Sequence, residues 1–268
     1  MFYSYPHTMI ETPSGLRIST LNLRHGGGQR ASSICDYLSS TDDDIIVLTE
    51  FRMNRSGRSI LDRMARAGYR HAVSPLPDER RNGVCVMSRL PFDVIGDPAG
   101  TDAFRIVTVR CANIVISGVY FAGSQAKRTL FEYLLHRAPL YREPFMIIGD
   151  MNTGLHRIDE DGATFHCVEE FGRLSTVILK DLYRVAHEDR REYSWYSNSG
   201  NGFRLDHALA NEQVVQRLQS IEYDHDTRDG LTDHSALRLS ISASIIQERI
   251  ISTPTYYKAA QKSLPGMV

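Results

Sequence analysis

Short apolar runs that end on a polar residue recur along this chain. The clearest is Phe145-Met146-Ile147-Ile148, which passes through Gly149 into Asp150, Met151 and Asn152. Such a run reads as a buried strand. Gly149 and Gly154 permit tight backbone turns around the polar pair. The pattern sets a carboxylate and an amide at the carboxyl end of a strand, a place where folds often hold chemistry. A strand followed by an ordinary Asx turn has the same local pattern. Only the other polar clusters tip the balance.

In chain order, 16–22 alternates as a strand and runs into Asn22-Leu23-Arg24-His25-Gly26-Gly27-Gly28. Three glycines free the backbone to bend closely, but no Gly-Lys-Ser/Thr follows, so this is not a P-loop. Residues 29–39 predict a helix with Ile34 and Leu38 inward. Ile45-Ile46-Val47-Leu48 predicts a second buried strand, ending at Glu50. Ser56 is a candidate cap for a helix through Ala67, with Gly68 at its end. Residues 69–74, 83–88, 105–110 and 114–120 read as strands, the last two joined by a tight turn at Ala112-Asn113. A helix is expected over 124–137, and 163–186 reads as mostly helical and irregular. Residues 192–196, 205–210, 218–226 and 236–242 read as further strands.

There is no internal repeat, low-complexity linker or break in composition. The expectation is one domain over 16–243, with an N-terminal arm (1–15) and a C-terminal tail (244–268). Many short strands with few helices disfavour a doubly wound parallel sheet and fit two packed sheets with helices outside. The 268 residues, 42% hydrophobic and 24% charged, are ordinary for a soluble globular protein. A net charge of -1 gives no global argument for nucleic acid, and it does not exclude a basic groove balanced by acids elsewhere. Cys35, Cys85, Cys111 and Cys167 lack CxxC spacing, which points to a reducing compartment. No signal-peptide pattern opens the chain, and no apolar run approaches the roughly 18–20 residues that span a bilayer. A cytoplasmic location without membrane contact is expected.

Four places repeat the strand-then-polar pattern: Asn22, Glu50, Asp150 with Asn152, and Asp233 with His234. A fifth, Asp206, sits inside the strand-like Arg204-Leu205-Asp206-His207-Ala208-Leu209. An unpaired buried carboxylate is costly, so Asp206 wants a partner, and His234 is the natural candidate. Oxygen ligands from Asn, Glu and Asp suit a hard cation such as Mg2+ or Mn2+. Any one of these residues is more often structural. Five together, at strand ends, argue for a site.

The ordered set of motifs resembles the endonuclease/exonuclease/phosphatase superfamily, and within it the branch of exonuclease III and the AP endonucleases. The motifs are Thr20-Leu21-Asn22-Leu23, Leu48-Thr49-Glu50-Phe51-Arg52, Asn82-Gly83-Val84-Cys85-Val86-Met87-Ser88 and Gly118-Val119-Tyr120-Phe121. Gly149-Asp150-Met151-Asn152, Ser194-Trp195-Tyr196, Arg204-Leu205-Asp206-His207 and Thr232-Asp233-His234-Ser235 follow. The resemblance implies an α+β fold, a four-layer α/β/β/α sandwich. It implies Glu50 as the main metal ligand, Asn22 beside metal and phosphate, and Asp233 near the metal. It implies Asp150, helped by Asn152, as the group that orients or deprotonates water. Asp206 then holds His234 against the scissile phosphate, and Tyr120 touches the phosphate or supports the leaving group.

The implied function is a Mg2+- or Mn2+-dependent phosphodiesterase acting on DNA, similar to an AP endonuclease or a 3′ exonuclease, and monomeric. Ser194-Trp195-Tyr196 favours DNA, since such a segment lies near the abasic-sugar pocket of the repair branch; the alternative is a core tryptophan. Lys127 and Arg128 either contact phosphate or lie on a solvated helix face. His25 and His207 are not expected to be ligands. Three features depart from the branch, one being the short region between strands 69–74 and 83–88, where loops of the family help to grip duplex DNA. Arg24 stands where an Asn or Asp is usual, so it can bind phosphate but not metal. Thr49-Glu50-Phe51-Arg52 replaces Gln-Glu-Thr-Lys. A superfamily enzyme acting on a small phosphoester or lipid headgroup, and an inactive binding or scaffold relative, are the rival readings.

Overall fold

A computed structural model describes residues 15–76, 78–96, 104–242 and 255–257. The elements in order are β1 (Leu16–Asn22), α1 (Ala31–Ser40), β2 (Ile45–Phe51), α2 (Arg55–Arg66), β3 (His71–Val73), β4 (Gly83–Ser88) and β5 (Phe92–Ile95). Next come β6 (Ile106–Cys111), β7 (Ile114–Tyr120), α3 (Arg128–Arg137), β8 (Phe145–Asp150), α4 (Val168–Gly172), β9 (Lys180–Asp181) and α5 (Leu182–His187). The chain continues through β10 (Trp195–Tyr196), β11 (Gly202–Phe203), β12 (Asp206–Ala210), α6 (Glu212–Val215), β13 (Leu218–Asp224), β14 (Ala236–Ile241) and β15 (Thr255–Tyr257).

Two mixed sheets result, ordered β13-β14-β1-β2-β4-β3-β15 and β5-β6-β7-β8-β12-β9. Alternation along the strands builds three apolar layers. Ile18, Val47, Val86, Ile116 and Ile148 meet between the sheets. Leu21, Ile46 and Leu48 turn outward against Ile34 and Leu38 of α1 and Ile60 of α2. Val115, Val119 and Ile147 turn outward against Leu130 and Phe131 of α3 and Phe171 of α4. This is the expected four-layer sandwich with its helices outside.

The tight turn at Ala112-Asn113 has both residues at positive φ, 48° and 62°, which suits the twist of a two-residue hairpin. The start of α2 differs from expectation. Asn54 is the cap, because its side chain accepts from Gly57 N at 3.1 Å. Ser56 lies inside the first turn and reaches Gly28 O instead. Segment 163–186 resolves into α4, a π-helical turn (Arg173–Ile178), β9 and α5. Within the expected tail, residues 255–257 add a parallel strand beside β3. The expected arm lies outside the described residues apart from Gly15, and so does the rest of the tail. No described helix is long and apolar enough to cross a membrane.

Candidate active site

Strand direction brings the polar strand ends together. Parallel pairing of β7 with β8 sets Tyr120 beside Asp150, and antiparallel pairing of β12 with β8 sets Asp206 beside Asp150. In the facing sheet, β1 and β2 run parallel, so Asn22 lies beside Thr49, next to Glu50. Strands β4 and β14 run opposite to their neighbours, so Asn82, Asp233 and His234, just before them, reach the same end of the sandwich. Backbone detail aims the side chains. Gly149 has φ 143°, and a Cβ there would stand 2.1 Å from Val119 O, so only glycine fits the residue before Asp150. Glu50 has φ 50°, and the β2–β4 register shifts between Leu48 and Phe51. Such a bulge re-aims a side chain out of the strand.

Asp150 is fully buried, and three donors hold its carboxylate. Asn152 N donates to Oδ1 at 2.8 Å, while Asn22 Nδ2 and Asn152 Nδ2 donate to Oδ2 at 2.8 and 3.1 Å. His234 Nδ1 pairs with Asp206 Oδ2 at 2.8 Å, as the sequence expects. Asp206 is itself fixed by Ser194 Oγ, which accepts from the amides of Leu205 and Asp206. Asp206 Oδ1 is buried and meets no hydrogen-bond partner among the described residues. Burial, then the charge of Asp206, pushes the Asp150 carboxyl up to about 7, against the pull of His234. Burial works against the His234 cation, but the Asp206 carboxylate overrides it and lifts the imidazole to about 9. His234 is therefore an imidazolium at neutral pH, with both ring nitrogens donors.

Asp150, Asp206 and His234 have ligand atoms within 4.8 Å of one another. In this trio His234 Nδ1 is already engaged by Asp206 Oδ2, and Asp150 accepts from three donors. Glu50 fits a divalent ion better. Its side chain is only 15% exposed. Its Oε1 has only long contacts, with Tyr120 OH at 3.4 Å and Asn22 Nδ2 at 3.5 Å. The donors gathered here are oxygen and imidazole nitrogen without thiolate, a set suited to a hard or borderline ion. Asn22 turns its amide nitrogen to the acids and its Oδ1 to Arg24 N at 2.8 Å. As placed it is a donor to Asp150 rather than a ligand beside Glu50.

Several residues form a rim. Trp195 is half-buried, bridges to His234 through the backbone, and donates Nε1 to Asp233 Oδ2 at 3.3 Å. It is a wall of the site rather than a core residue. Arg24 is exposed, with Nε 3.6 Å from the same Asp233 oxygen. Asp233 is thus engaged with Trp195 and Arg24. Lys127 departs from both expectations, phosphate contact and a solvated helix face, whereas Arg128 fits the solvated face. Lys127 is buried, and its Nζ donates to Asn152 O at 2.5 Å. Arg128 is exposed but pairs with Glu170 at 3.1 Å. His207 is buried against Thr153 O, away from any ligand role.

Sequence reasoning passed over Asn82 and His25. Asn82, which opens one of the quoted motifs but was given no role, donates Nδ2 to Glu50 Oε2 at 3.1 Å. His25, set aside as a ligand, has backbone N and ring Nδ1 both on Glu50 Oε2, at 2.6 and 3.1 Å.

The profile of the Endonuclease/Exonuclease/phosphatase family matches residues 19–234. No curated protein matches the chain significantly. Among solved structures, an AP endonuclease from Archaeoglobus fulgidus is 22% identical, with a TM-score of 0.73, and covers 85% of this chain and 100% of its own. The 3′-5′ exonuclease NExo from Neisseria meningitidis is 23% identical, TM-score 0.73, with the same coverage. A substituted form of a Neisseria NExo, described as a 3′ phosphatase and bound to a product DNA hairpin, is 20% identical, TM-score 0.72, covering 84% and 99%. At these identities the likeness is one of fold.

Proposed function

The chain belongs to the endonuclease/exonuclease/phosphatase family, and on that premise we propose that it is a divalent-metal-dependent phosphodiesterase acting on DNA, as an AP endonuclease, a 3′ exonuclease or both. The observation that carries the reading is the fully buried Asp150 carboxylate, held by Asn22 and Asn152 next to the His234–Asp206 ion pair. A base poised near the working pH takes a proton from water and still releases it afterwards.

The roles follow from the contacts. Asn22 and Asn152 hold the Asp150 carboxylate in one orientation, leaving it to accept the proton of the attacking water. The water oxygen bonds to phosphorus, the opposite P–O bond breaks, and the alkoxide leaves with the bonding pair. His234, oriented by Asp206 at Nδ1, offers its Nε2–H to a non-bridging phosphate oxygen and balances the charge that grows there. Tyr120, its hydroxyl pushed up to about 12 by burial and by Glu50, stays a donor toward the same region. Glu50 would hold a divalent ion such as Mg2+ or Mn2+, which when bound would supply positive charge for the phosphate and the leaving oxygen.

DNA is supported by the aromatic wall at Trp195, the exposed Arg24, and the DNA enzymes among the neighbours in fold. The test is cleavage of a labelled panel: an abasic duplex, a blunt duplex, a recessed 3′ end and a single strand, with Mg2+, Mn2+ or EDTA. Cutting that needs metal and is lost in Asp150→Asn is expected, and the preferred substrate separates incision from end trimming. Folded protein that cuts no DNA with either metal defeats the reading, and small phosphoesters would be tried next.

A further inference from the structure

His225 takes no part in the chemistry above, yet it reaches both members of the His234–Asp206 pair at one remove. It opens the short 3-10 helix His225–Arg228 that follows β13. Its Nδ1 meets Oγ of Ser235, the residue after His234, at 2.8 Å. Its ring stacks on Tyr223, with centroids 6.2 Å apart and planes 13° apart. The Tyr223 hydroxyl in turn donates to the Asp206 carbonyl at 2.5 Å. The remaining ring nitrogen, Nε2, meets Glu192 Oε1 at 2.6 Å.

Glu192 fixes the ring. Burial opposes its charge, but hydrogen bonds from the Tyr183 hydroxyl and from His225, with the Arg190 guanidinium, hold its carboxyl below the ordinary range. A carboxylate only accepts, so Nε2 carries a proton and Nδ1 is left to Ser235. The bond to Ser235 survives in either charge state of the ring, because a hydroxyl both donates and accepts. Serine, histidine and glutamate in this order resemble a hydrolytic triad. Ser235 is fully buried, however, so its oxygen is closed to any substrate. The bond holds backbone instead. Ser235 N donates to Ser194 O at 2.8 Å, His234 bridges to Trp195, and the Ser194 hydroxyl accepts from the Asp206 amide. The segments that carry Trp195 and His234 are thus tied to each other, and His225 grips both, Glu192 on one and Ser235 on the other.

We propose that, with His234 read as the group on the phosphate, His225 is a positioning residue for the His234–Asp206 pair, acting through its bond to Ser235. The two ends of the grip are unequal. Glu192 keeps Tyr183 and Arg190 if His225 is lost. The Ser235 hydroxyl has His225 as its hydrogen-bond partner among the described residues. Loss is therefore felt at Ser235 and passed to His234. The Thr227 hydroxyl still donates to His234 O at 3.0 Å, so the pair is loosened rather than released. The expected cost is about tenfold in kcat with KM unchanged, below the roughly 10²-fold of a full 1 Å misplacement.

Two replacements separate the ends of the ring. The amide of His225→Asn reaches where Nδ1 stood and keeps the bond to Ser235. The amide of His225→Gln reaches where Nε2 stood and keeps only Glu192. The side chain is 38% exposed, so either amide is accommodated. The full chain is used, with two readouts: metal-dependent turnover on DNA, and the low-field proton resonance of the His234–Asp206 bond, assigned by its loss in His234→Ala. In His225→Gln kcat should fall at unchanged KM and the resonance should move upfield. In His225→Asn both should keep their wild-type values. Ser235→Ala should reproduce His225→Gln, and the two together should add nothing further. A strut that serves stability alone gives another pattern, in which both replacements lower the melting point while kcat per folded molecule and the resonance stay put. That pattern overturns the proposal, and so does a resonance that moves alike in both replacements or in His225→Asn alone. If His225→Gln fails to fold, Ser235→Ala decides, and wild-type kcat and resonance there overturn the proposal. Wild-type protein that cuts no DNA defeats the nuclease reading, while the resonance still decides the role of His225.

Discussion

Two buried charge clusters lie on either side of the start of β12, and they are built on opposite rules. In the first, Arg204 reaches Asp159 at 2.7 Å and Asp181 at 2.5 Å, and Arg184 adds a second cation on Asp159 at 2.6 Å. Two arginines face two aspartates, and Arg204 and Asp159 are fully buried. Burial opposes ionisation of Asp159 and Asp181, but the Arg204 guanidinium overrides it and holds both carboxyls below their ordinary range. In the second cluster Asp150 and Asp206 share one imidazolium. Asp150 is as buried as Asp159, yet its carboxyl is displaced upward. Burial is common to both, so the partner decides the sign. Matched charge makes a structural joint, and unmatched charge leaves a proton free to move at neutral pH.

The contrast breaks most visibly at Asp150. Asp150→Asn keeps the shape but cannot take a proton, and its amide nitrogen replaces one of the two oxygens that accept from Asn22 and Asn152. Turnover on DNA should fall by about 10²–10⁴-fold, the usual range for a general base. The effect on stability should depend on pH. The folded-state value of Asp150 lies above its unfolded 3.8, so its contribution is complete below that value and lost as pH rises through about 7. The melting point of the variant relative to the wild type should therefore rise as pH goes from 5 to 8. A variant that is both active and less stable would place Asp150 in the structural class.

Arg204→Met is the mirror experiment. It strands Asp159 and Asp181 without their main cation, and breaking a buried pair costs about 3–5 kcal/mol. Urea unfolding should shift by that amount, with turnover per folded molecule little changed. The pH dependence is opposite to that of Asp150. Both carboxyls are depressed in the fold, so their contribution is present above the unfolded value of 3.8 and lost as pH falls below it.

The two clusters were also unequally legible in the sequence. Asp150 announces itself, because an apolar strand, a glycine and an acid are contiguous. Glu50, Asn22 and His234 obey the same local grammar, and the register of the sheets does the rest. Asp159, Asp181 and Arg204 lie far apart in the chain and share no local pattern. Their pairing exists only after β9 and β12 pack. The short strands β5, β9 and β11 were missed for a related reason. Two to four residues carry too little alternation to read, and their neighbours in the sheet define them. His25 escaped because its conformation, not its neighbours in the chain, turns it onto Glu50.

A finer measurement sharpens the picture of unmatched charge. On the proposed mechanism the reaction needs Asp150 ionised and His234 protonated. The rate should climb as pH rises through about 7 and decline through about 9. His234→Gln should remove the upper limb and keep the lower one. A profile flat from pH 6 to 10 in the wild type would show that the two groups do not carry the proton and the charge.

The smallest effect is expected at Lys127, which belongs to neither cluster. Burial pulls its ammonium down to about 8, and among the described residues its hydrogen-bond partner is the carbonyl of Asn152 rather than a carboxylate. That carbonyl belongs to a residue at φ 50° whose amide and side chain both donate to Asp150. Lys127 therefore acts on the base at one remove, by pinning the strained backbone that presents two of its three donors. A misplacement of about 1 Å at a reacting group can cost about 10²-fold. Loss of one pin among several should cost less, about tenfold in kcat with KM unchanged. Lys127→Met removes the charge as well as the hydrogen bond; the cost of burying that charge is complete below about pH 8 and fades above it, so the melting point should hold or rise below pH 8 while the rate falls. An equal fall in both would return Lys127 to the structural side, with Arg204.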